Sequence, residues 1–128
     1  MCIAKLSKTL VFCLVLLVFC MGCNDKVNRD VETGEASFYS DKYQGRSTAS
    51  GDIYDKTKFT AAHRSLPFGT MLDVFDLQGN HVVVIINDRL LSREPERIID
   101  LSRAAAEKLD MIDAGIKQVK ISKYKVKK

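Results

Sequence analysis

Four aspartates stand where short apolar or turn-forming stretches of this chain end, at Asp52, Asp55, Asp88 and Asp100. A carboxyl group that leaves a sheet at its rim is partly desolvated, and carboxylic acids with a raised pKa are the usual proton donors in glycoside cleavage. Asp88 ends the most apolar of the predicted strands, where a carboxylate leaving the sheet would lie at a rim beside Arg89. The alternative is a turn-forming aspartate in a structural ion pair with Arg89.

The other reactive residue types restrict the chemistry. The chain has two histidines, and two cannot make a convincing metal site without carboxylates, so no metal and no cofactor are predicted. No Gly-x-Ser-x-Gly motif is present, and Ser65 lies only two residues from His63, which argues against a serine hydrolase. All four cysteines lie at or before Cys23, so a cysteine nucleophile in the domain that follows is excluded.

The N-terminal residues have the order of a bacterial export signal. Lys5 and Lys8 precede an apolar run over residues 10–19, which is short for a membrane-spanning helix. Gly22 directly before Cys23 fits a lipobox, so we predict a lipoprotein signal peptide at residues 1–22 and lipidation of Cys23. Residues 23–33 are then a lipidated tether. Asn24, in place of the aspartate that retains some lipoproteins, predicts the outer membrane, facing the periplasm.

Removal of residues 1–22 takes two of the 20 basic residues, which leaves 18 against 16 acidic ones and a net charge close to +2. Such a balance gives no indication of nucleic-acid binding. Six lysines crowd the last twelve residues, and residues 125–128 form a basic tail. This tail is either a solvated chain end or a segment attracted to anionic lipid or cell-wall carboxylates.

The elements that must position these residues are mainly strands. Apolar patterns predict strands at residues 35–40, 70–77, 81–87 and 118–124, with a hairpin turn at 78–80 that places the second and third of them at the centre of the sheet. Ser102 before a run of good helix formers predicts one short helix over 103–109. Several short strands with one helix indicate a small barrel or sandwich.

Six ordered blocks of sequence carry a family resemblance. They are Gly34-Glu35-Ala36-Ser37-Phe38-Tyr39, Thr48-Ala49-Ser50-Gly51-Asp52, Phe59-Thr60-Ala61-Ala62-His63, Leu66-Pro67-Phe68-Gly69-Thr70, Asn87-Asp88-Arg89 and Arg97-Ile98-Ile99-Asp100-Leu101-Ser102. Together they resemble the rare lipoprotein A (RlpA) family of septal peptidoglycan transglycosylases, over residues 34–122. The resemblance implies a mainly β fold, a six-stranded double-psi β-barrel with one or two short helices, at residues 34–124.

The resemblance also implies an activity, which is lytic cleavage between N-acetylmuramic acid and N-acetylglucosamine of peptidoglycan glycan strands with formation of 1,6-anhydromuramic acid. The family's functional positions fall on Asp52, His63 and Asp88, with Asp88 expected as the general acid. Tyr39, Arg89 and Asp100 are expected to contact the substrate. Cell-division proteins are possible partners besides the glycan and the membrane.

The sequence departs from the family pattern at three places. Asp52 stands where the family usually has Glu, Leu90-Leu91 replaces the usual Gly-Pro after Asp-Arg, and Asp110 replaces a glycine at the end of the predicted helix. The altered loop favours a second interpretation, a catalytically inactive glycan-binding lipoprotein that acts in cell-wall organisation or division. A structural lipoprotein that binds another protein is a third.

Overall fold

The computed structural model describes residues 30–126. The predicted signal peptide, Cys23, most of the tether and the last two lysines lie outside this part of the chain. Between residues 30 and 126, no helix has both the length and the apolar character needed to cross a membrane.

Six strands close into a barrel in the order β1-β5-β2-β4-β3-β6, with β6 paired back to β1. Two pairs, β1 with β5 and β2 with β4, are parallel, and the other four are antiparallel. One α-helix and one short 3-10 turn complete the domain, which confirms the mainly β barrel with one or two short helices that the family resemblance implies. The elements are β1 (Val31–Phe38), the 3-10 turn (Asp41–Tyr43), β2 (Thr60–His63), β3 (Met71–Asp76), β4 (His81–Arg89), β5 (Arg97–Leu101), α1 (Arg103–Lys108) and β6 (Lys117–Lys123).

Closure of the barrel changes two expectations. The hairpin of β3 and β4 forms as predicted, but it is not the centre of a sheet, because a closed barrel has neither centre nor edge. β1 begins at Val31 rather than at residue 35, since its first residues pair with β6, Val31 opposite Ser122 and Thr33 opposite Lys120. Glu32 and Thr33 are polar, so the local sequence shows no strand pattern here.

The barrel interior is filled by alternate apolar side chains. On β4, Val82, Val84 and Ile86 are buried while Ile85 is exposed, so the uniformly apolar run of β4 has one inner and one outer face. Helix α1 packs against β4 and β1. It begins as predicted, because the Ser102 hydroxyl accepts a hydrogen bond from the backbone N–H of Ala105.

Two backbone positions decide local geometry. A Cβ on Gly34 would lie 2.7 Å from the carbonyl oxygen of Glu96 and equally close to the Ile98 side chain, so only glycine allows β1 to approach this turn. After α1, Asp110 has a φ of +50°, the left-handed conformation in which aspartate replaces the usual helix-ending glycine.

A buried ion pair joins the β3–β4 turn to the end of α1. The Lys117 ammonium donates to Asp76 at 2.8 Å and to the carbonyl oxygen of Leu109 at 2.7 Å. Asp76 also accepts hydrogen bonds from the backbone N–H groups of Gln78 and Asn80. Burial opposes ionisation of Asp76, but the bonds from Lys117 and Asn80 outweigh it and lower its pKa to about 2.

Replacement of Lys117 by Met should lower the free energy of unfolding at pH 7 by about 2 kcal/mol, because Asp76 loses a charge-assisted hydrogen bond. The folded-state pKa of Asp76 lies below its unfolded value of about 4, so its contribution is present above pH 4 and is lost as pH falls toward 2. The difference in free energy of unfolding between wild type and variant should therefore become smaller as the pH is lowered. Urea unfolding at pH 7 and pH 2.5 measures this difference, and the exposed Lys120→Met is the control. Equal stability of Lys117→Met and wild type at pH 7 would contradict a stabilising Lys117–Asp76 ion pair.

Candidate active site

A row of four residues crosses four neighbouring strands at one end of the barrel. Ala62 on β2 is paired with Asp88 on β4 at one side and with Asp100 on β5 at the other. Asp100 is in turn paired with Ser37 on β1. Because directly paired residues point to the same face of a sheet, these four side chains project together. We call Asp88, Ala62, Asp100 and Ser37 the carboxyl row.

The carboxyl row lies on the outer face of the barrel because two strand pairs change register just before it. Ala61 pairs with Ile86 but Ala62 with Asp88, so Asn87 has no partner on β2. On β5, Arg97 pairs with Glu35 and Ile99 with Ala36, so Ile98 is passed over in the same way. A β-bulge reverses the phase of the residues that follow it, and bulges beside functional sites re-aim side chains.

The carboxyl row opens into a groove of about 660 Å³. Ser37, Tyr39, Asp88, Arg89, Arg97 and Asp100 are among its lining residues. The two carboxyl-bearing strands are separated by β2 alone, so their backbones lie about 10 Å apart. The side chain between them is the small methyl group of Ala62. The structure thus brings together four sequence-predicted site residues, Tyr39, Asp88, Arg89 and Asp100.

Asp88 is held by three donors. The Tyr39 hydroxyl donates to its Oδ2 at 2.6 Å, and the backbone N–H groups of Ala49 and Arg89 donate to its Oδ1 at 2.9 and 2.8 Å. Burial, and then the hydrogen bond to Asp88, raise the pKa of Tyr39 above its ordinary value, so this phenol remains a donor. Asp88 therefore acts as a fixed acceptor in this arrangement.

Asp100 lies in a different environment. Burial raises the pKa of its carboxyl group above the ordinary value. The hydrogen bond from the Ser37 hydroxyl and the positive charge of Arg97 oppose that increase, while the charge of Asp88 adds to it. The two carboxyl groups of the row thus have unlike surroundings, which is the arrangement expected of an acid and its partner.

Arg89 is not the ionic partner of Asp88. Its guanidinium carbon lies 4.1 Å from the centre of the Phe68 ring, and its Nη1 donates to the backbone carbonyl oxygens of His63 and Asp88 at 3.4 Å. No ion pair joins the two side chains in the part of the chain that is described. The sequence alternative of an Asp88–Arg89 salt bridge was wrong, because the guanidinium stacks on an aromatic ring instead.

His63 follows Ala62 on β2 and therefore points to the opposite face, away from the carboxyl row. It is 5% exposed, and its Nδ1 accepts hydrogen bonds from the backbone N–H groups of Ser65 and Leu66. Its Nε2 lies 3.1 Å from Oε2 of Glu32. These contacts fix the loop after β2 rather than the groove, so the predicted catalytic role of His63 stays a prediction that the geometry does not support directly.

Asp52 also lies outside the groove. Its side chain is exposed and lines a separate depression of about 390 Å³ with Asp55, Lys58 and Asn87. The loop that contains Asp52 reaches the carboxyl row only through its backbone, by the hydrogen bond from Ala49 to Asp88. A supporting role through this loop is compatible with the structure, whereas direct contact with the carboxyl row is not seen.

The Leu90-Leu91 departure is accommodated without strain. Leu90 is 5% exposed, and its backbone N–H donates to the carbonyl oxygen of His63 at 3.3 Å, whereas Leu91 is 88% exposed at the rim of the groove. Neither residue has a positive φ, so this loop does not require the glycine that the family usually has.

Sequence reasoning missed Ser37, Ala62 and Tyr43 as site residues. Ser37 and Ala62 belong to the carboxyl row only through strand pairing, which no local pattern reveals. Tyr43 lies on the 3-10 turn, with its ring centre 5.7 Å from that of Tyr39. Within residues 30–126, no group of three or more His, Cys, Asp or Glu side chains is arranged to hold a metal ion.

The topology and the groove define a double-psi β-barrel with an acidic pair in a cleft, and solved structures share the fold. Streptomyces papain inhibitor aligns with a TM-score of 0.58 at 24% identity, over 72% of this chain and 92% of that chain. An expansin of Clavibacter michiganensis aligns with a TM-score of 0.60 at 25% identity, over 77% of this chain and 52% of that one.

Sequence relatives narrow the class. The family model described as lytic transglycolase matches residues 31–121. The protein named "Probable endolytic peptidoglycan transglycosylase RlpA" of Treponema pallidum is 49% identical over 94 residues, which cover 73% of this chain and 29% of the relative. The endolytic peptidoglycan transglycosylase RlpA of Haemophilus influenzae is 44% identical over 99 residues, 77% of this chain and 34% of the relative.

This chain belongs to the RlpA family of lytic transglycosylase-like barrels. It spans about a third of the length of these curated relatives, and the shared part is the barrel.

The contacts of His63 predict its tautomer. Because Nδ1 accepts two backbone hydrogen bonds, the neutral ring should carry its proton on Nε2 and donate to Glu32. Long-range proton–nitrogen NMR spectra of ¹⁵N-histidine-labelled protein at neutral pH should show an unprotonated Nδ1 for His63. His81, whose side chain is 56% exposed, is the internal control and should show averaged tautomers. A protonated Nδ1 at His63 would refute the structural role.

Proposed function

We propose that this protein cleaves the linkage between N-acetylmuramic acid and N-acetylglucosamine in peptidoglycan glycan strands and leaves a 1,6-anhydromuramic end. The observation that carries the proposal is the carboxyl row, in which two aspartates with unlike environments face one groove. The names of the relatives at 41–49% identity support the substrate and the reaction.

The reaction needs one proton donor and one proton acceptor. The donor protonates the glycosidic oxygen as its bond to the anomeric carbon of muramic acid breaks. The 6-hydroxyl of the same muramic acid then bonds to that carbon and gives up its proton to the acceptor. No water is consumed, so the groove has only to bind the glycan and exchange two protons.

The environments of the two aspartates favour Asp100 as the donor and Asp88 as the acceptor. Burial raises the pKa of Asp100, which keeps more of it in the neutral form that can donate. Asp88 accepts three hydrogen bonds, two at Oδ1 and one at Oδ2, which fix its carboxyl group at the groove and leave one of its roughly four lone-pair positions, on Oδ2, for the proton of the 6-hydroxyl. This assignment moves the acid role from Asp88 on β4, where the sequence placed it, to Asp100 on β5, on the other side of β2.

The proposal includes an anchored location, which the sequence alone supports. The apolar run before Gly22-Cys23 and the polar residues after it fit export, lipidation of Cys23 and a location on the outer membrane facing the periplasm. There the barrel would meet the glycan strands. Division proteins remain proposed partners.

Substitution of either aspartate tests the reaction. Full-length protein, purified in detergent, is incubated with isolated sacculi, and 1,6-anhydromuramic products are counted by mass spectrometry. Asp100→Asn and Asp88→Asn should each lower the yield by about a hundredfold, because each removes one partner of the proton exchange. The exposed Asp113→Asn is the matched control and should keep wild-type turnover.

Other outcomes would assign the protein differently. Wild-type turnover by Asp100→Asn together with loss in Asp88→Asn would return the donor role to Asp88. Binding of wild-type protein to sacculi without any anhydro product would replace the enzyme by the inactive glycan-binding lipoprotein.

Ser37 provides a test by pH. Its hydroxyl donates to the carboxyl of Asp100 and so favours the ionised form. Ser37→Ala should raise the pKa of Asp100 further, and the fall of turnover at alkaline pH should shift to higher pH, since the donor must be neutral. Ser40→Ala changes a groove serine that does not contact Asp100 and should leave the profile unchanged. An unshifted profile for Ser37→Ala would exclude Asp100 as the group that controls the alkaline limb.

A further inference from the structure

The groove carries more positive than negative charge. Its lining includes two aspartates, the pair of the carboxyl row, but four cations: Lys42, Arg46, Arg89 and Arg97. Of these cations, Arg97 is paired with Glu94 at 3.0 Å. The other three have no carboxylate within ion-pair distance in the described part of the chain. A surface of this kind attracts anions.

Two of the unpaired cations lie close to the ring of Tyr43. The Lys42 ammonium lies 5.2 Å and the Arg46 guanidinium carbon 5.4 Å from the centre of the Tyr43 ring. Both distances fall within the range of a cation–π interaction, so both charges lie beside the Tyr43 ring at the groove. We call Lys42, Tyr43 and Arg46 the cation clamp.

The cation clamp is fixed to the carboxyl row through aromatic packing. The Tyr43 ring lies against Tyr39, and the hydroxyl of Tyr39 donates to Asp88. Backbone bonds between the Arg46 N–H and the Tyr43 carbonyl, and between the Tyr54 N–H and the Arg46 carbonyl, hold the loop in place. A sugar bound at the acidic pair therefore has a preset cationic neighbour.

We infer that the cation clamp binds a carboxylate of the glycan strand and so makes the groove selective for anionic over neutral polysaccharides. This inference rests on the proposed function and adds the substrate feature that is recognised. A muramic acid residue supplies a carboxylate through its lactyl group, or through the peptide attached to that group. Neutral glucans and chitin supply none, and a mutant expansin with the same fold was solved with the neutral glycan cellohexaose.

Binding of matched glycans tests the cation clamp. Titration calorimetry uses the full-length protein in an Asp100→Asn background, so that glycan is not consumed. The probes are a muramic-acid-containing tetrasaccharide with free lactyl carboxylates, its methyl ester, and the neutral tetramer of N-acetylglucosamine. The free acid should bind about tenfold more tightly than the ester, since two exposed ion contacts are lost in the ester.

The double variant Lys42→Gln/Arg46→Gln should abolish the preference for the free acid. The control Lys108→Gln/Lys120→Gln removes the same charge at exposed positions outside the groove and should retain the preference. The preference should also shrink as salt is raised. Equal binding of acid and ester by the unsubstituted clamp, or an unchanged preference in the double variant, would overturn the inference.

Two further comparisons distinguish failure of the cation clamp from failure of the proposed reaction. If wild-type protein forms anhydro products from sacculi but no carboxylate preference is found, the cation clamp is refuted and the reaction stands. If no product forms and no glycan binds, both proposals fall. A probe that bears the stem peptide, compared with its amidated form, identifies the source of the carboxylate. Tighter binding of the free peptide acid assigns the recognised carboxylate to the peptide. Equal binding of these two probes, together with a preference for the free lactyl acid over its ester, assigns it to the lactyl group.

Discussion

The site depends on the pairing of one short strand with two neighbours. β2 is four residues long, yet its Ala62 fixes both aspartates of the carboxyl row, because Asp88 and Asp100 are its partners in register. A slip of one residue in either pairing would turn a carboxylate to the barrel interior. Gly34 takes part in the same constraint, since its missing side chain leaves space for Ile98, the residue passed over on β5. The active geometry is thus a property of strand register more than of any single side chain.

The unlike environments of the two aspartates follow from their positions in that register. Asp88 is the last residue but one of β4, where a neighbouring loop and Tyr39 supply donors. Asp100 lies between β1 and β2 and is more enclosed, so burial dominates its ionisation and raises its pKa. Arg97 and Arg64 limit that increase by their positive charge. One barrel surface therefore presents two carboxyl groups in unlike environments.

The predictability of the fold differed from element to element. β3, β4, β6 and α1 were recognised within a few residues because their apolar periodicity, the turn glycine and the cap at Ser102 are local signals. β2 was not, since Thr60-Ala61-Ala62-His63 has little strand propensity and is held by its neighbours. β5 was not recognised as a strand from its own pattern either. Family resemblance supplied the six-strand barrel that these local signals left open.

Several side chains of the groove were predictable from the sequence, but their environments were not. Asp88, Asp100, Arg89 and Tyr39 were all named from the sequence, and the structure gathers them in one groove. His63 was named with them, yet it points the other way, since neighbours on a strand alternate between faces. Which of the two carboxyl groups is more enclosed depends on contacts across four strands. No local sequence pattern shows these contacts.

The loop after Arg89 shows how the family pattern can change without loss of the site. Asp88 is fixed from outside this loop, by Tyr39 and by the backbone of Ala49, so the two leucines do not have to hold it. Leu90 fills a buried position that a glycine would leave empty. This packing offsets the loss of the conformational freedom that a glycine gives to the loop. Leu91 instead adds an exposed apolar side chain to the lining of the groove. The departure therefore alters the rim of the groove, and the carboxyl row keeps its geometry.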